Sequence, residues 1–409
     1  MNVKRGELMN GSRMYAIATI FLIVGAGVGF GAGYLLVGTP GTIPDPEMPR
    51  LKAGFIYVGP IGDFGWTHAH DQGRLYIENK YDWLDTVYIE SVDPADAGTQ
   101  IDYLVNVEGC DVIFTTSFPY MDATIAAGAR HPDVMFFHCS GYLRDDNVGT
   151  YFNDFYQLYY LNGLMAGALT QTGKLGYVAA FQIPELIRHI NAFAIGANEV
   201  NASVTTDVVW MNTDWFDPTT ATTAANTLLG TGVDMLAFTE DSSAVPLVAN
   251  ATPDTYVFSH YSPMQAFAPT STISGQLVHW EIMYEDIIQK CYLGQYNSTN
   301  LADVDYLWLL QEDACELGGE FGVPINPIFI PQLQAIMHTD PVLGTISVYD
   351  LVMTRLNQMS MANIIYEPFS GPMNYQNGTT QWLAAGESAD IYTLLSMTWF
   401  VEGVIGVIT

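Results

Sequence analysis

Short apolar runs and longer amphipathic stretches alternate through most of the chain. The runs at 53–58, 86–90, 111–116, 133–139, 175–181, 205–210, 234–238, 255–259 and 271–278 have the length and content of buried strands. Helix-length stretches separate most of them, at 67–80, 120–130, 155–171, 186–199 and 219–230. This alternation predicts an α/β fold of parallel sheets with crossover helices. Nine strands exceed one comfortable sheet, so they are divided between two lobes. Lobe 1 is expected to hold residues 51–145 and 261–289, and lobe 2 residues 146–260 and 290–409. Beyond residue 290 the pattern loosens, and 331–362 reads as an insertion with helical segments.

The first strand sets the frame. AGFIYV at 53–58 is broken by Gly59, Pro60, Gly62 and Gly65, and a helix is expected from Thr67. The loop between them lies at the carboxyl end of the strand, where open α/β sheets bind ligands. It carries Asp63, Phe64 and Trp66, polar and aromatic groups suited to a small-molecule site.

The amino-terminal segment has a different pattern. Residues 14–38 carry no charge and follow a short basic stretch with Lys4, Arg5 and Arg13. That length spans a hydrocarbon core of ~30 Å, and the basic flank places residues 1–13 in the cytoplasm. A retained single-pass anchor is expected, with a cleaved signal peptide as the competing reading. Gly25, Gly29 and Gly33 repeat at a spacing that permits helix pairing, hence self-association, in a membrane. The proline-rich 39–50 reads as a stiff stalk. Asn201, Asn250, Asn297 and Asn377 head glycosylation sequons, which suits an extracellular body.

Net charge is −30, with 13 Lys+Arg against 43 Asp+Glu. Such a chain has no basic footprint for phosphates, which argues against nucleic acid. The four cysteines form no metal-binding spacing. Cys291 and Cys315 are expected to be bridged, and Cys110 and Cys139 to be free core thiols. The chain holds no GxSxG, HExxH, phosphate-loop or EF-hand pattern. His68 and His70 diverge on a helix and would not share a metal. No enzyme activity, metal or cofactor is expected.

Several blocks follow one another along the chain: TTSFPYMDATIAA at 115–127, FFHCSGY at 136–142, NVGTYF at 147–152, LGYVAAFQIPELIRHINAFAIGA at 175–197, PFSGPM at 368–373 and WFVEGVIG at 399–406. With residues 53–74 they resemble, in order, the basic membrane protein family, the purine-nucleoside receptor-like proteins that feed ABC importers. The resemblance implies a two-lobed, hinged periplasmic-binding-protein type I fold. It also implies a purine nucleoside or nucleobase ligand and an ABC permease as partner.

A planar ring needs an aromatic face from each lobe. Trp66 and Phe181, both after predicted strands, are expected to sandwich it, though each also suits core packing. Asp63 stands equally as a ligand acceptor or a helix cap. Ser117, Phe118, Tyr120 and Asp122 follow the strand at 111–116, with Asp122 better suited to a helix cap. Gln182, Trp215, Glu240 and Asp241 follow strands of the second lobe, and one of the two acids is expected to face the cleft. The sequence then departs from the family. SHYSPM, with His260, Tyr261 and Ser262, stands where the family has an acidic turn, and His279-Trp280 replaces an Asn-Trp pair. Tyr261 and Trp280 remain candidates, but ribose recognition is weakened in favour of a free base, a modified nucleoside or a flavin-like heterocycle. A surface assembly protein and a ligand sensor are the alternatives.

Overall fold

The computed structural model describes residues 50–363 and 366–409. The span expected at 14–38, the segment before it and the stalk up to residue 49 lie outside the described residues. Among the described residues no helix is long and apolar enough to cross a membrane.

The chain first forms β1 (Leu51–Ile56), α1 (Trp66–Lys80), β2 (Leu84–Ile89), α2 (Ala97–Asn106), β3 (Val112–Thr115), α3 (Met121–Arg130), β4 (Met135–Cys139) and β5 (Val148–Asn153). It then forms α4 (Tyr156–Leu169), β6 (Lys174–Ala179), α5 (Pro184–Val200), β7 (Thr205–Trp210), α6 (Pro218–Gly230), β8 (Met235–Thr239), α7 (Ala244–Ala251), β9 (Tyr256–Tyr261) and β10 (Thr272–Val278). Next come α8 (Trp280–Tyr292), β11 (Asp305–Trp308) and β12 (Cys315–Leu317). The remainder holds α9 (Ile330–Ala335), β13 (Met337–Asp340), β14 (Gly344–Ser347), α10 (Val348–Met359), β15 (Met373–Asn374), β16 (Gln381–Leu383), α11 (Ile391–Leu395) and β17 (Val404–Ile405).

Two sheets result. The first has strand order β11-β5-β4-β3-β1-β2 and is parallel throughout. The second has order β12-β10-β9-β8-β6-β7-β17, with β12 antiparallel at one edge. Central strands such as VIFT in β3 and MLAFT in β8 are buried at every position, as parallel strands covered on both faces must be. Both sheets present their strand carboxyl ends to the interlobe cleft, which carries the candidate site.

Sheet membership moves the lobe boundaries. β5 pairs with β4, so the first crossing follows Asn153 rather than residue 145. Its sequence, VGTYFN, mixes small and polar residues and lacks a continuous apolar run. β10 pairs with β9 and stays in the second lobe, although 261–289 was expected in the first. α8 does return, packing on α1. β11 pairs with β5 and joins the first sheet from within the stretch assigned to lobe 2. Among the described residues the chain thus crosses between sheets near Asp154, His279 and Leu309. The stretch at 331–362 holds the β13–β14 hairpin and α10, which packs on α4.

The second lobe is built on α4, of whose 14 residues all but Ala168 are buried. Apolar on every side, this helix is a core element rather than a surface one. It sits close to α5 because glycines face backbone. A Cβ on Gly163 would lie 2.1 Å from the Phe193 carbonyl oxygen, and one on Gly196 2.1 Å from that of Tyr160. This contact fixes α5, whose amino-terminal turn faces the cleft.

The expected disulfide is absent. All four cysteines are free and buried. Cys291 lies on α8, which packs on α1 of the first lobe, and Cys315 on β12 of the second sheet, so their elements belong to different lobes. Burial pushes both thiols up to about 12, leaving them protonated and inert.

Candidate functional site

The glycine-rich loop after β1 is held by Asp63. Its carboxylate accepts from the backbone N–H groups of Gly65 (2.8 Å), Thr67 (3.1 Å) and His68 (2.9 Å). These bonds satisfy orphan donors at the start of α1. Asp63 is therefore the helix cap of the two roles left open, and its oxygens are used within the loop. Burial pushes its carboxyl up to about 6, against the pull of those N–H groups.

That cap places Trp66 as the first residue of α1, one position earlier than the expected helix start. Its indole N–H donates to the Thr116 carbonyl oxygen at 2.6 Å. The ring is 7% exposed and meets His70, Tyr261 and Trp280 edge-on, at 4.6, 5.0 and 5.3 Å between centroids. Trp66 is thus both packed and at the site: its free face lines a cavity between the lobes.

That cavity is a narrow slot: its atom-free space of about 290 Å³ includes open solvent. Val58, Trp66, Ser117, Phe118 and Ser140 wall it from the first lobe, and Glu185, Trp215, Asp241 and Tyr261 from the second. Six of these follow a strand, Trp66 and Glu185 stand in the first turns of α1 and α5, and Tyr261 ends β9. Ser140 and Tyr261 have positive φ (65° and 59°), as does Phe64 (63°) nearby. Non-glycine residues in this conformation cost of order 1 kcal/mol or more each and cluster at functional sites.

Asp241 supplies the polar feature of the wall. It is 1% exposed, and one carboxylate oxygen, Oδ1, has no hydrogen-bond partner. The backbone and Cβ of Asp241 meet Gly65 at the start of α1 across the cleft. Burial, then the charges of Asp63 and Glu240, push the Asp241 carboxyl well above the usual carboxylate range. Glu185 stands in the first turn of α5, and burial pushes it up to about 7. A cavity with aromatic walls and an under-satisfied carboxyl suits a ligand with a flat face and N–H or O–H donors at its edge.

The other expected residues lie outside this wall. Phe181 is set back and meets Trp215 edge-on at 5.0 Å, so Trp215 rather than Phe181 is the second aromatic wall. Gln182 accepts from the Thr409 backbone N–H. Tyr120 is buried and donates to the Val92 carbonyl oxygen. Asp122 is exposed in the first turn of α3, where an acid complements the helix dipole. Glu240 is buried and accepts from Ser242. Trp280 stacks on His70 at 4.2 Å behind Trp66. Phe64 is exposed on the outer lip, against Phe267. His260, in the altered turn, is buried and bonded to Tyr159 and Gln276. Among the described residues no cluster of three or more metal-ligating side chains occurs.

Sequence reasoning missed Val58, Ser140 and Glu185. Glu185 had a signal: it follows Pro184 at a helix start, directly after a strand. Below the site, Asp154 at the first crossing pairs with Arg188 of α5 at 2.5 Å and with His189 at 3.2 Å. Burial raises this carboxyl, but the charge of Arg188 and the hydrogen bonds from His189 and Arg188 together outweigh that and hold it well below the usual range. The pair ties the crossing segment to the helix that presents Glu185.

The lobes touch at the lip. The Ser262 hydroxyl donates to the Gly65 carbonyl oxygen at 3.2 Å, and a Cβ on Gly65 would lie 2.6 Å from Asp241 Cα.

This architecture is shared with known proteins. A solute-binding protein of an ABC transporter from Aeropyrum pernix superposes with a TM-score of 0.63 at 18% identity, covering 76% of this chain and 91% of its own. A purine-binding protein of Brucella abortus is 34% identical over 360 residues, 87% of this chain and 93% of the relative. A putative ABC transporter glucose-binding protein of Haloferax volcanii is 36% identical over 68% of this chain and 69% of its own. Residues 50–306 match the family model of PnrA-like ABC transporter substrate-binding proteins. The chain belongs to this Bmp family of solute-binding proteins, which bind and deliver ligands rather than transform them.

Proposed function

We propose that the protein binds a purine nucleobase or nucleoside-like planar heterocycle between its lobes and presents it to the permease of an ABC importer. The observation that carries this reading is the pairing of Trp66 and Trp215, one from each lobe, around a cavity where Asp241 keeps an unpartnered oxygen. The indoles offer flat faces, and the carboxyls of Asp241 and Glu185 accept from ring N–H groups. The Brucella relative's name agrees with a purine. The Haloferax relative's name favours a second reading, a sugar stacked on the same tryptophans. Closure of the lobes on the ligand would present a closed form to the permease. Calorimetric titration of adenine, guanosine, inosine, riboflavin and glucose into the full chain in detergent separates these. A purine is expected to bind most tightly. Glucose alone giving heat overturns the purine reading.

Residues 14–38 are proposed to remain as an anchor with the body outside the cell, since no charge interrupts them. Amino-terminal sequencing of the protein from native membranes is expected to start near Met1. A start near residue 39 would instead show cleavage.

A further inference from the structure

Four Asn-x-Ser/Thr triplets lie among the described residues, headed by Asn201, Asn250, Asn297 and Asn377, and none touches the cavity between the lobes. They share one place in the fold. Asn201 follows α5 and precedes β7, Asn250 is in the last turn of α7 before β9, and Asn297 stands between α8 and β11. A helix that connects parallel strands runs back from the carboxyl end of one to the amino end of the next. These three therefore stand at the amino ends of the strands, at the poles that face away from the cleft. Near Asn297, Leu301 donates to the Asp146 carbonyl oxygen just before β5, which fixes that loop at the pole of the first lobe. Asn377, in the turn between β15 and β16, reaches the pole of the second. Its neighbour Gln376 donates to the Val404 carbonyl oxygen at 3.0 Å, and Val404 pairs with Thr206 near the start of β7.

Local geometry sorts the four. The Asn297 side-chain oxygen accepts from the backbone N–H of Thr299 (3.0 Å) and from its hydroxyl (2.7 Å). The Asn201 oxygen accepts in the same way from the backbone N–H of Ser203 (3.2 Å) and from its hydroxyl (2.7 Å). The Asn377 oxygen accepts from the backbone N–H groups of Thr379 (3.1 Å) and Thr380 (2.9 Å), around Gly378 with its φ of 65°. These are Asx turns in surface loops, and each brings the residue two positions on back against the asparagine. Ser203, Asn297, Thr299, Asn377 and Thr379 are exposed. Asn250 is exposed too, but it lies in a helix, where side chains two positions apart point to nearly opposite sides. Its Thr252 donates its hydroxyl to the Val248 carbonyl oxygen at 2.9 Å. An enzyme that must grip the amide and the hydroxyl at once finds them together in three loops and parted in the fourth triplet.

We propose that Asn201, Asn297 and Asn377 carry N-linked glycans, transferred from a lipid-phosphate-linked oligosaccharide, and that Asn250 stays bare. The new bond joins the asparagine Nδ2 to C1 of the first sugar. The bond from C1 to the phosphate oxygen breaks, the lipid phosphate leaves with that electron pair, and the amide nitrogen gives up one proton. Glycans are bulky and hydrophilic. Placed at the poles, they clothe the two ends of the molecule and leave the cleft and its lip uncovered.

The inference rests on the outward placement of the body proposed above, and the experiment tells the two apart. The full chain is purified from native membranes, digested with protease, and its peptides are read by mass spectrometry. Sugar is expected on the peptides of Asn201, Asn297 and Asn377, and none on that of Asn250. Thr299→Ala, made in the native host, is expected to lose the glycan at Asn297 and keep the other two, and Thr299→Ser to retain all three. In parallel, intact cells are treated with a membrane-impermeant amine reagent. If the reagent labels the body and Asn201 or Asn297 is bare, the glycan proposal falls alone. Sugar on Asn250 to the same extent as on the loops overturns the selection by local geometry, and a Thr299→Ala protein still modified at Asn297 overturns the role of the hydroxyl. If the reagent does not reach the body and every triplet is bare, the outward placement falls and takes the glycans with it.

Discussion

Trp215→Ala weakens binding of the ligand by about a hundredfold and leaves the unfolding free energy close to that of the parent. The indole is half-buried on a loop and packs on Phe181. Stacking against a planar ligand contributes ~0.5–1.5 kcal/mol beyond burial. Loss of the buried ring area adds about 2 kcal/mol. Since 1.4 kcal/mol is tenfold, the sum is about a hundredfold or more. Trp66→Ala is expected to cost as much affinity and, unlike Trp215→Ala, stability as well. Trp66 is wedged between His70, Tyr261 and Trp280 and bonds the Thr116 carbonyl. Large-to-small changes at such positions cost about 3–5 kcal/mol. Calorimetry gives the affinities and urea denaturation the stabilities. Parental affinity in Trp215→Ala would remove the second lobe's tryptophan from the site.

The contrast between these residues shows what was legible in the sequence. Both were visible as aromatics after predicted strands, because the strand–loop–helix rhythm marks the carboxyl ends of a parallel sheet. The α/β class and eight of the nine expected strands followed from apolar runs whose burial needs no tertiary information; the ninth, β10, was found but assigned to the wrong lobe. Which side chain turns inward was less legible. Phe181 and Trp215 belong to neighbouring loops, and only their edge-on packing decides which reaches the cavity. Asp63 and Asp241 are both acids on cleft loops. The backbone N–H groups of α1 use up the first, while one oxygen of the second is left free. β5 and β11 were missed because one has a mixed composition and the other, DYLW, opens on an exposed acid and has only one fully buried position. Without them the crossings between the lobes could not be placed. The disulfide expectation failed for the same reason: proximity of Cys291 and Cys315 in sequence conceals a passage from one lobe to the other.

Gly65→Ala tests whether the contact at the lip belongs to the binding-competent state. Gly65 is where the loop of the first lobe meets the second lobe's backbone: an added Cβ would lie 2.6 Å from Asp241 Cα and 2.9 Å from its carbonyl carbon. These are main-chain atoms, and they cannot turn aside as a flexible side chain can. Relief therefore requires the lobes to separate. Overpacking of this kind costs about 1–3 kcal/mol, and here the cost falls on the closed arrangement. Each lobe keeps its own sheet and core, so the unfolding midpoint should stay near the parent's. Apparent affinity scales with the population of the competent state, so the ligand should bind about ten- to hundredfold more weakly. Small-angle scattering supplies the independent readout. At a ligand concentration where the parent is saturated, the variant should keep a larger radius of gyration than the parent. Parental affinity together with a parental radius would show that the lobes bind ligand without meeting at Gly65.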